Sequence, residues 1–349
     1  MRRDFGRLST RRHLLRPLAI ACALPLVVVA CGNDTPDPGT TPETSSQSPS
    51  PSDSVSVSVS ASESDEPSPT APSGALPTVT GDFGELPVLT VPDAEPPSDL
   101  VVKTLHKGNG EQVKSGDTMV VDYLGARWDD GATFDASFDA APFGLAIGTG
   151  NVLAGWDKGL VGTTVGSRVL LVIPPDLAYG DTPPGEPIQA GDTLVFVVDI
   201  LGTHDASEAA SGTITPTEDD GYPAVSVLPK KPEINVPPGK APPKLISIPV
   251  ITGKGAKVKS GDTVVVQYVG VLWRNGKQFD ASWDNGAPFS TQIGTGAVIP
   301  GWDQGLVGQT VGSRVLLVIP DKLAYGDQGS GEIKPGDDLV FAIDILAAY

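Results

Sequence analysis

The chain has 349 residues and a formal net charge of −18, with 24 Lys and Arg against 42 Asp and Glu. So acidic a surface repels nucleic-acid phosphates and anionic lipid headgroups, which argues against a nucleic-acid-binding protein. Cys22 and Cys31 both lie near the N-terminus, and the three histidines are scattered. We therefore expect no disulfide in the body of the chain, no metal site and no cofactor.

Residues 1–30 have the pattern of an export signal. Six arginines precede an apolar run from Leu18 to Ala30, which is shorter than the roughly 20 residues of a membrane-spanning helix. The run ends in VVACG, which resembles a bacterial lipobox and implies cleavage before Cys31 and lipid attachment to its sulfur. An uncleaved anchor with an incidental cysteine is the alternative.

This signal predicts an exported protein, anchored by the lipid on Cys31 to the outer face of the cytoplasmic membrane. The stretch TRRHLLR, residues 10–16, also resembles a twin-arginine signal, so the general secretory and twin-arginine routes both stay open. Residues 31–81 follow, rich in Ser, Pro and Thr and without an aromatic residue before residue 81. They bury too little apolar surface to offset their ordering entropy, so we predict a disordered tether.

The body of the chain contains an internal repeat. VKSGDTMVVDYLG at residues 113–125 recurs as VKSGDTVVVQYVG at 258–270, and GWDKGLVG at 155–162 recurs as GWDQGLVG at 301–308. A period of about 145 residues suits whole domains rather than solenoid units. We predict one domain over residues 82–202, a linker over 203–221 and a second domain over 222–349.

Within each repeat, β signals dominate. Runs of branched residues bounded by Gly, Asp or Pro, such as VLLVIP and LVFAIDIL, predict strands, and residues 86–97 predict an added one. A single short helix is expected around residues 155–162, where Trp156 and Leu160 share one face. The predicted class is α+β: two domains, each an antiparallel β half-barrel wrapped on one short helix.

An aromatic set with one adjacent carboxylate recurs at fixed spacing in both repeats. Aromatic residues on strands usually fill a core, but buried Tyr and Trp also need partners for their polar atoms. Together they suit an apolar pocket with a few directed polar groups. The recurring residues are Tyr123, Phe134, Asp135, Phe143, Trp156, Tyr179 and Phe196 in the first repeat, and Tyr268, Phe279, Asp280, Phe289, Trp302, Tyr325 and Phe341 in the second.

On the motifs VxxYxG, FDAS, PF, GWD, LAYG and LVF, each repeat resembles an FKBP-type peptidyl-prolyl cis/trans isomerase. The resemblance covers about 250 residues. It implies a pocket that also contains the two residues before the helix and one isoleucine near the last strand. These further residues are Val152, Leu153 and Ile188 in the first repeat, and Val298, Ile299 and Ile333 in the second.

The resemblance implies isomerisation of X–Pro bonds, which unaided cross a barrier of about 18–20 kcal/mol. A dry aromatic cavity removes the water that supports amide resonance, so the twisted amide is favoured without a nucleophile or base. Trp156 and Trp302 would form the floor under the proline ring. The backbone N–H groups of Leu153 and Ile299 would hold a substrate carbonyl.

The resemblance also implies catalytic roles for the polar pocket residues. Tyr179 and Tyr325 would offer a hydroxyl to the substrate backbone, and Asp135 and Asp280 would act electrostatically on the twisted carbonyl. The arginine often found before the PF motif is absent, with Asn285 in the second repeat, so the expected Asp–Arg pair is missing.

The predicted function is isomerisation of X–Pro bonds in extracytoplasmic proteins, with a preference for a large apolar residue before proline and with the second domain more active. The alternative is a chaperone or scaffold that binds proline-containing segments with little turnover in one or both domains. The implied partners are proline-containing unfolded or partly folded proteins, with macrolides as a class of inhibitor, the membrane only through the lipid anchor, and no nucleic acid.

Overall fold

A computed structural model describes residues 74–215 and 221–349, which belong to one compact unit. The predicted signal, Cys31 and most of the predicted tether lie outside the described residues. Within the described ranges, no helix is long and apolar enough to cross a membrane.

The first repeat is an antiparallel sheet of six strands in the order β3-β7-β8-β4-β5, with β6 paired to the other end of β4. One short helix and a 3₁₀ turn at Pro175–Leu177 complete it. Its elements, with an N-terminal hairpin of two further strands, are β1 Thr78–Thr80, β2 Val88–Thr90, β3 Val101–His106, β4 Thr118–Arg127, β5 Thr133–Ala136, β6 Phe143–Ala146, α1 Ala154–Leu160, β7 Arg168–Ile173 and β8 Leu194–His204.

The second repeat has the same plan with one strand added at the edge, in the order β14-β13-β17-β16-β12-β9, with β15 paired to β13. A 3₁₀ turn lies at Asp321–Leu323. Its elements are β9 Thr213–Ile214, β10 Ala224–Val225, β11 Ile234–Asn235, β12 Ile246–Thr252, β13 Thr263–Leu272, β14 Gln278–Ala281, α2 Ser282–Asn285, β15 Phe289–Gln292, α3 Pro300–Leu306, β16 Arg314–Ile319 and β17 Leu339–Ala348. The predicted α+β class of mainly antiparallel sheet with few helices is confirmed.

The central strands are apolar along their whole length because both faces of each sheet are covered. One face packs on the short helix, and the other lies under an N-terminal hairpin, β1–β2 or β10–β11. An indole N–H group holds the segment that follows each hairpin. Trp128 donates to the Ala94 carbonyl, and Trp273 donates to the Gly239 carbonyl.

Two predicted boundaries differ from the structure. Strand β1 lies inside the stretch predicted as a disordered tether, because it pairs with β2 to form the hairpin. The predicted linker is ordered where it is described, up to residue 215. Thr213 and Ile214 pair with β12, and the Ala210 N–H donates to the Asp344 carboxylate.

The helix α1 begins one residue before the predicted range and ends at Leu160, because the backbone of Val161 is extended. Trp156 and Leu160 are both buried, as expected for residues on one face. Gly155 also faces the sheet, where a Cβ would lie 2.4 Å from the Ile173 side chain, so the glycine allows close packing. The second repeat has an additional one-turn helix, α2, which ends at Asn285 and is followed by Gly286 with a φ of 80°.

Candidate active site

The second repeat contains a cavity of about 550 Å³ at the N-terminal end of α3. Its wall includes every predicted pocket residue of that repeat except Ile333, which is buried in the core cluster beside it. Two lining residues, Gly296 and Ala297, were not predicted, although they directly precede the predicted Val298. The lining residues are Tyr268, Phe279, Asp280, Phe289, Gly296, Ala297, Val298, Ile299, Trp302, Tyr325 and Phe341.

Trp302 occupies the centre of this aromatic wall. Its ring centroid lies 5.3 Å from those of Tyr268 and Phe341 and 6.2 Å from that of Phe289, all in edge-to-face geometry. The indole N–H of Trp302 is buried and has no hydrogen-bond partner. The geometry therefore gives the cavity an apolar floor with one unused donor.

A glycine in the central strand is needed for this packing. A Cβ on Gly270 would lie 2.6 Å from the Phe279 ring and 2.7 Å from the Phe341 ring. Gly125 has the same relation to Phe134 and Phe196 in the first repeat. The glycine of the VxxYxG motif therefore lets two aromatic rings meet over the strand.

The first repeat brings its predicted residues together in the same way. The Trp156 ring lies 5.5 Å from that of Tyr123 and 5.3 Å from that of Phe196, and its indole N–H is also buried without a partner. Apart from Asp135, the remaining predicted residues of this repeat belong to the same cluster, with Ile188 buried and Phe134, Phe143, Val152, Leu153 and Tyr179 partly buried.

The pocket carboxylate accepts a hydrogen bond from a tyrosine in both repeats. The Tyr123 hydroxyl donates to Asp135 Oδ2 over 2.6 Å, and the Tyr268 hydroxyl donates to Asp280 Oδ2. Sequence reasoning missed these bonds, which hold the carboxylate although the family's arginine is absent. Burial, and then the hydrogen bond to the carboxylate, raise the pKa of Tyr123 and of Tyr268 far above the ordinary value, so both hydroxyls stay protonated.

The two carboxylates differ in accessibility. Asp135 is only 9% exposed, whereas Asp280 lies among the exposed residues. Tyr325, across the second pocket, is 39% exposed. Burial, and then the charge of Asp280, raise the pKa of Tyr325, so its hydroxyl remains a donor at neutral pH.

The helix start contributes backbone groups to each pocket. Leu153 and Ile299 are the residues that precede the first helical turn, and their carbonyls accept from the N–H groups of Trp156 and Trp302. Because the N–H of a residue in this position has no carbonyl of the helix within reach, it suits a ligand carbonyl.

The aspartate of the GWD motif has a structural task that sequence reasoning missed. Asp303 accepts from the N–H groups of Gly294, over 2.7 Å, and Gly296, over 2.8 Å. Asp157 does the same for Gly148 and Gly150 in the first repeat. This aspartate therefore fixes the IGTG loop that leads into the pocket wall.

Fold and site together define a tandem of half-barrel domains, each with an aromatic cluster around a buried tryptophan, a tyrosine–carboxylate pair and a helix start beside them. The family model described as FKBP-type peptidyl-prolyl cis-trans isomerase matches residues 109–201 and 254–346. The chain belongs to the FKBP-type peptidyl-prolyl cis-trans isomerase family. The resemblance and the enzyme class predicted from the sequence are thus confirmed.

The chain is similar to proteins named as FK506-binding proteins and as peptidyl-prolyl cis-trans isomerases. It is 47% identical over 120 residues to the FK506-binding protein of Streptomyces anulatus, covering 34% of this chain and 97% of that protein. It is 33% identical over 218 residues to the peptidyl-prolyl cis-trans isomerase FKBP9 of Rattus norvegicus, covering 62% of this chain and 32% of that protein. The crystal structure of FkpA from Escherichia coli is 40% identical, covers 30% of this chain and 48% of that chain, and has a TM-score of 0.28.

Proposed function

We propose that this protein accelerates cis/trans isomerisation of X–Pro bonds in extracytoplasmic proteins and so assists their folding. The observation that carries the proposal is the aromatic cavity on Trp302, with the Tyr268–Asp280 pair at its wall. A planar amide is more dipolar than a twisted one, so an apolar cavity favours the twisted state. A 10⁶-fold acceleration needs about 8 kcal/mol of such differential stabilisation.

Each polar group at the pocket has a proposed role. Trp302 supports the proline ring, the Ile299 N–H and the Tyr325 hydroxyl hold the substrate backbone, and the Asp280 charge acts on the twisted carbonyl. Because Asp280 is exposed while Asp135 is nearly buried, the second repeat offers the more accessible carboxylate and is proposed to be the more active.

The chemistry of the cavity also bears on ligands. Its aromatic wall favours a large apolar residue before the proline. The Streptomyces relative is named for FK506 binding, and we propose macrolides of this class as inhibitors of the present protein.

The activity is tested with the chain that lacks its predicted signal, in a protease-coupled or refolding assay with an Ala/Leu/Phe-Pro peptide series. We expect acceleration of every peptide, strongest for Leu and Phe. Tyr325→Phe should lower kcat/KM several-fold while the melting temperature barely moves, and Tyr179→Phe should have a smaller effect. Relaxation at the spontaneous rate, with peptide still bound, would instead identify a proline-binding chaperone or scaffold.

The proposed location is the outer face of the cytoplasmic membrane. The VVACG junction and the basic segment before it support a lipid on Cys31. Cys31→Ser should move the protein from the membrane to the soluble fraction, whereas unchanged partitioning contradicts lipid anchoring. Cys22→Ser is the matched control, and we expect it to leave partitioning unchanged.

A further inference from the structure

The two repeats contact each other through equivalent residues. Thr118 and Thr263 both end the SGDT motif and begin β4 and β13. The Thr118 hydroxyl donates to the Pro288 carbonyl over 2.6 Å, and the Thr263 hydroxyl donates to the Pro142 carbonyl over 2.7 Å. Since Pro142 and Pro288 both precede the Phe of the PF motif, the same contact is made twice with the repeats exchanged, as in a twofold dimer.

Two further contacts join equivalent residues directly. His204 and Tyr349 hold the same position after the DIL motif, and His204 Nε2 lies 2.9 Å from the Tyr349 hydroxyl. Gly144 and Ser290 both follow the PF motif, and a Cβ on Gly144 would lie 1.9 Å from Ser290 Oγ. The glycine therefore permits the close approach of β6 and β15.

The threonine contacts reach the pocket walls. Pro288 directly precedes Phe289, whose ring lies 6.2 Å from that of Trp302 and 6.0 Å from that of Tyr268. Phe289 is 40% exposed, so packing within its own repeat holds it only in part. The carbonyl that Thr118 holds is thus one residue away from a partly exposed part of the other repeat's cavity wall.

The first repeat shows the reciprocal relation. Pro142 precedes Phe143, whose ring lies 6.0 Å from that of Tyr123. The donor, Thr263, is 3% exposed, and Thr118 is 1% exposed. A carbonyl that loses a buried donor is left without a partner, so each threonine constrains the backbone at the proline whose carbonyl it binds.

We propose that Thr118 and Thr263 are positioning residues that act on the opposite repeat. Thr118 orients the Phe289 wall of the second pocket, and Thr263 orients the Phe143 wall of the first. The inference rests on the proposed function in one respect, namely that these pockets bind proline-containing segments. Each binding site then depends on the other repeat for the position of one wall.

The test uses the chain without its predicted signal, with Cys31→Ser and ¹⁵N-labelled tryptophan. The indole resonances of Trp156 and Trp302, assigned through Trp→Phe variants, report on the two pockets separately during titration with a Leu-Pro peptide. Thr118→Val should raise the Kd reported by Trp302 about two- to tenfold and leave that of Trp156 within about twofold. Thr263→Val should do the reverse.

The conservative variants Thr118→Ser and Thr263→Ser retain the donor and should restore the affinity of the opposite pocket. Weakening confined to the mutated repeat, equal weakening of both pockets, or no change would each overturn the proposal. Crosswise weakening without turnover would refute the isomerase function and leave this inference standing. If the peptide does not bind, the chemical shifts of the indole resonances are compared without ligand. Only a shift of the Trp302 resonance in Thr118→Val, and of the Trp156 resonance in Thr263→Val, supports the proposal.

Discussion

At the scale of single residues, the two pockets differ in the solvent exposure of the carboxylate that accepts from the tyrosine. The same hydroxyl-to-carboxylate bond sits in a nearly buried setting at Asp135 and in an exposed one at Asp280. Both tyrosine side chains are buried, but water can take the place of the exposed Asp280 as acceptor more readily than that of the nearly buried Asp135, so loss of Asp135 should cost more free energy. Equivalent substitutions in the two repeats should therefore separate stability from activity.

Asp280→Ala and Asp280→Asn should both lower kcat/KM several-fold with little change in melting temperature. Asn keeps an acceptor for the Tyr268 hydroxyl but removes the charge, so a loss shared by both variants assigns the effect to the charge. Full activity of Asp280→Asn in the isomerase assay would show that the carboxylate only orients the tyrosine.

Asp135→Ala should instead destabilise the protein. It leaves the Tyr123 hydroxyl, in a side chain 5% exposed, without its acceptor, which costs about 1–3 kcal/mol of unfolding free energy. Denaturant unfolding of Asp135→Ala and Asp280→Ala, measured side by side, gives the difference in their free energies of unfolding. Equal stability of the two variants would mean that water reaches both sites.

At the scale of elements, a buried ion pair fastens each N-terminal hairpin to its sheet. Arg314 and Asp344 form two hydrogen bonds of 2.6 and 2.7 Å, with both side chains at most 1% exposed. The guanidinium also donates to carbonyls at Ser226, Leu228 and Lys230 in the hairpin segment. Arg168 and Asp199 repeat the arrangement in the first repeat, with donors to Gly81 and Glu85.

Asp344→Ala should destabilise the second repeat by about 3–5 kcal/mol, because it leaves a buried guanidinium without its counter-charge. The hairpin segment, residues 222–241, should then become sensitive to limited proteolysis. Asp284→Ala is the matched control, since Asp284 pairs with Lys231 on the exposed surface and such pairs are screened by water. Equal proteolysis of the two variants would contradict a fastening role for the buried pair.

At the scale of the whole molecule, the two repeats pack as one body through a pseudo-twofold interface. Tyr349 lies in that interface against His204. Burial, and then the charge of Glu208, raise the pKa of Tyr349 to about 12, from an ordinary value near 10. The folded chain therefore keeps this proton at a pH where the unfolded chain has lost it.

This difference predicts that the free energy of unfolding falls as the pH rises from about 10 to about 12, because the folded state binds more protons there. Below pH 10 both states are protonated and the contribution is constant. Tyr349→Phe should show a shallower fall in thermal stability over that range, while the other buried tyrosines contribute equally to both chains. Identical pH profiles would contradict the raised pKa.

The sequence by itself determined the repeat, the strand-rich class, the family and most of the pocket wall. These features rest on residue identities at short, recurring spacings, such as the PF motif and the Trp of GWD. Local spacing survives in the linear chain, so it is readable before folding. The short helix was predicted for the same reason, since Trp156 and Leu160 are one turn apart.

Only the tertiary structure decided which polar groups meet. Register between β4 and β5 places Asp135 beside Tyr123, and sheet order places Arg168 against Asp199. Thr118 and Pro288 are 170 residues apart, and no periodicity connects them. Tertiary structure also decided that β1, in the predicted tether, and β9, in the predicted linker, are strands. Each exists only through pairing with another strand. Hydrogen bonds and ion pairs of this kind depend on the positions of a few atoms, which composition and residue pattern do not encode. Burial of apolar surface depends on many atoms together.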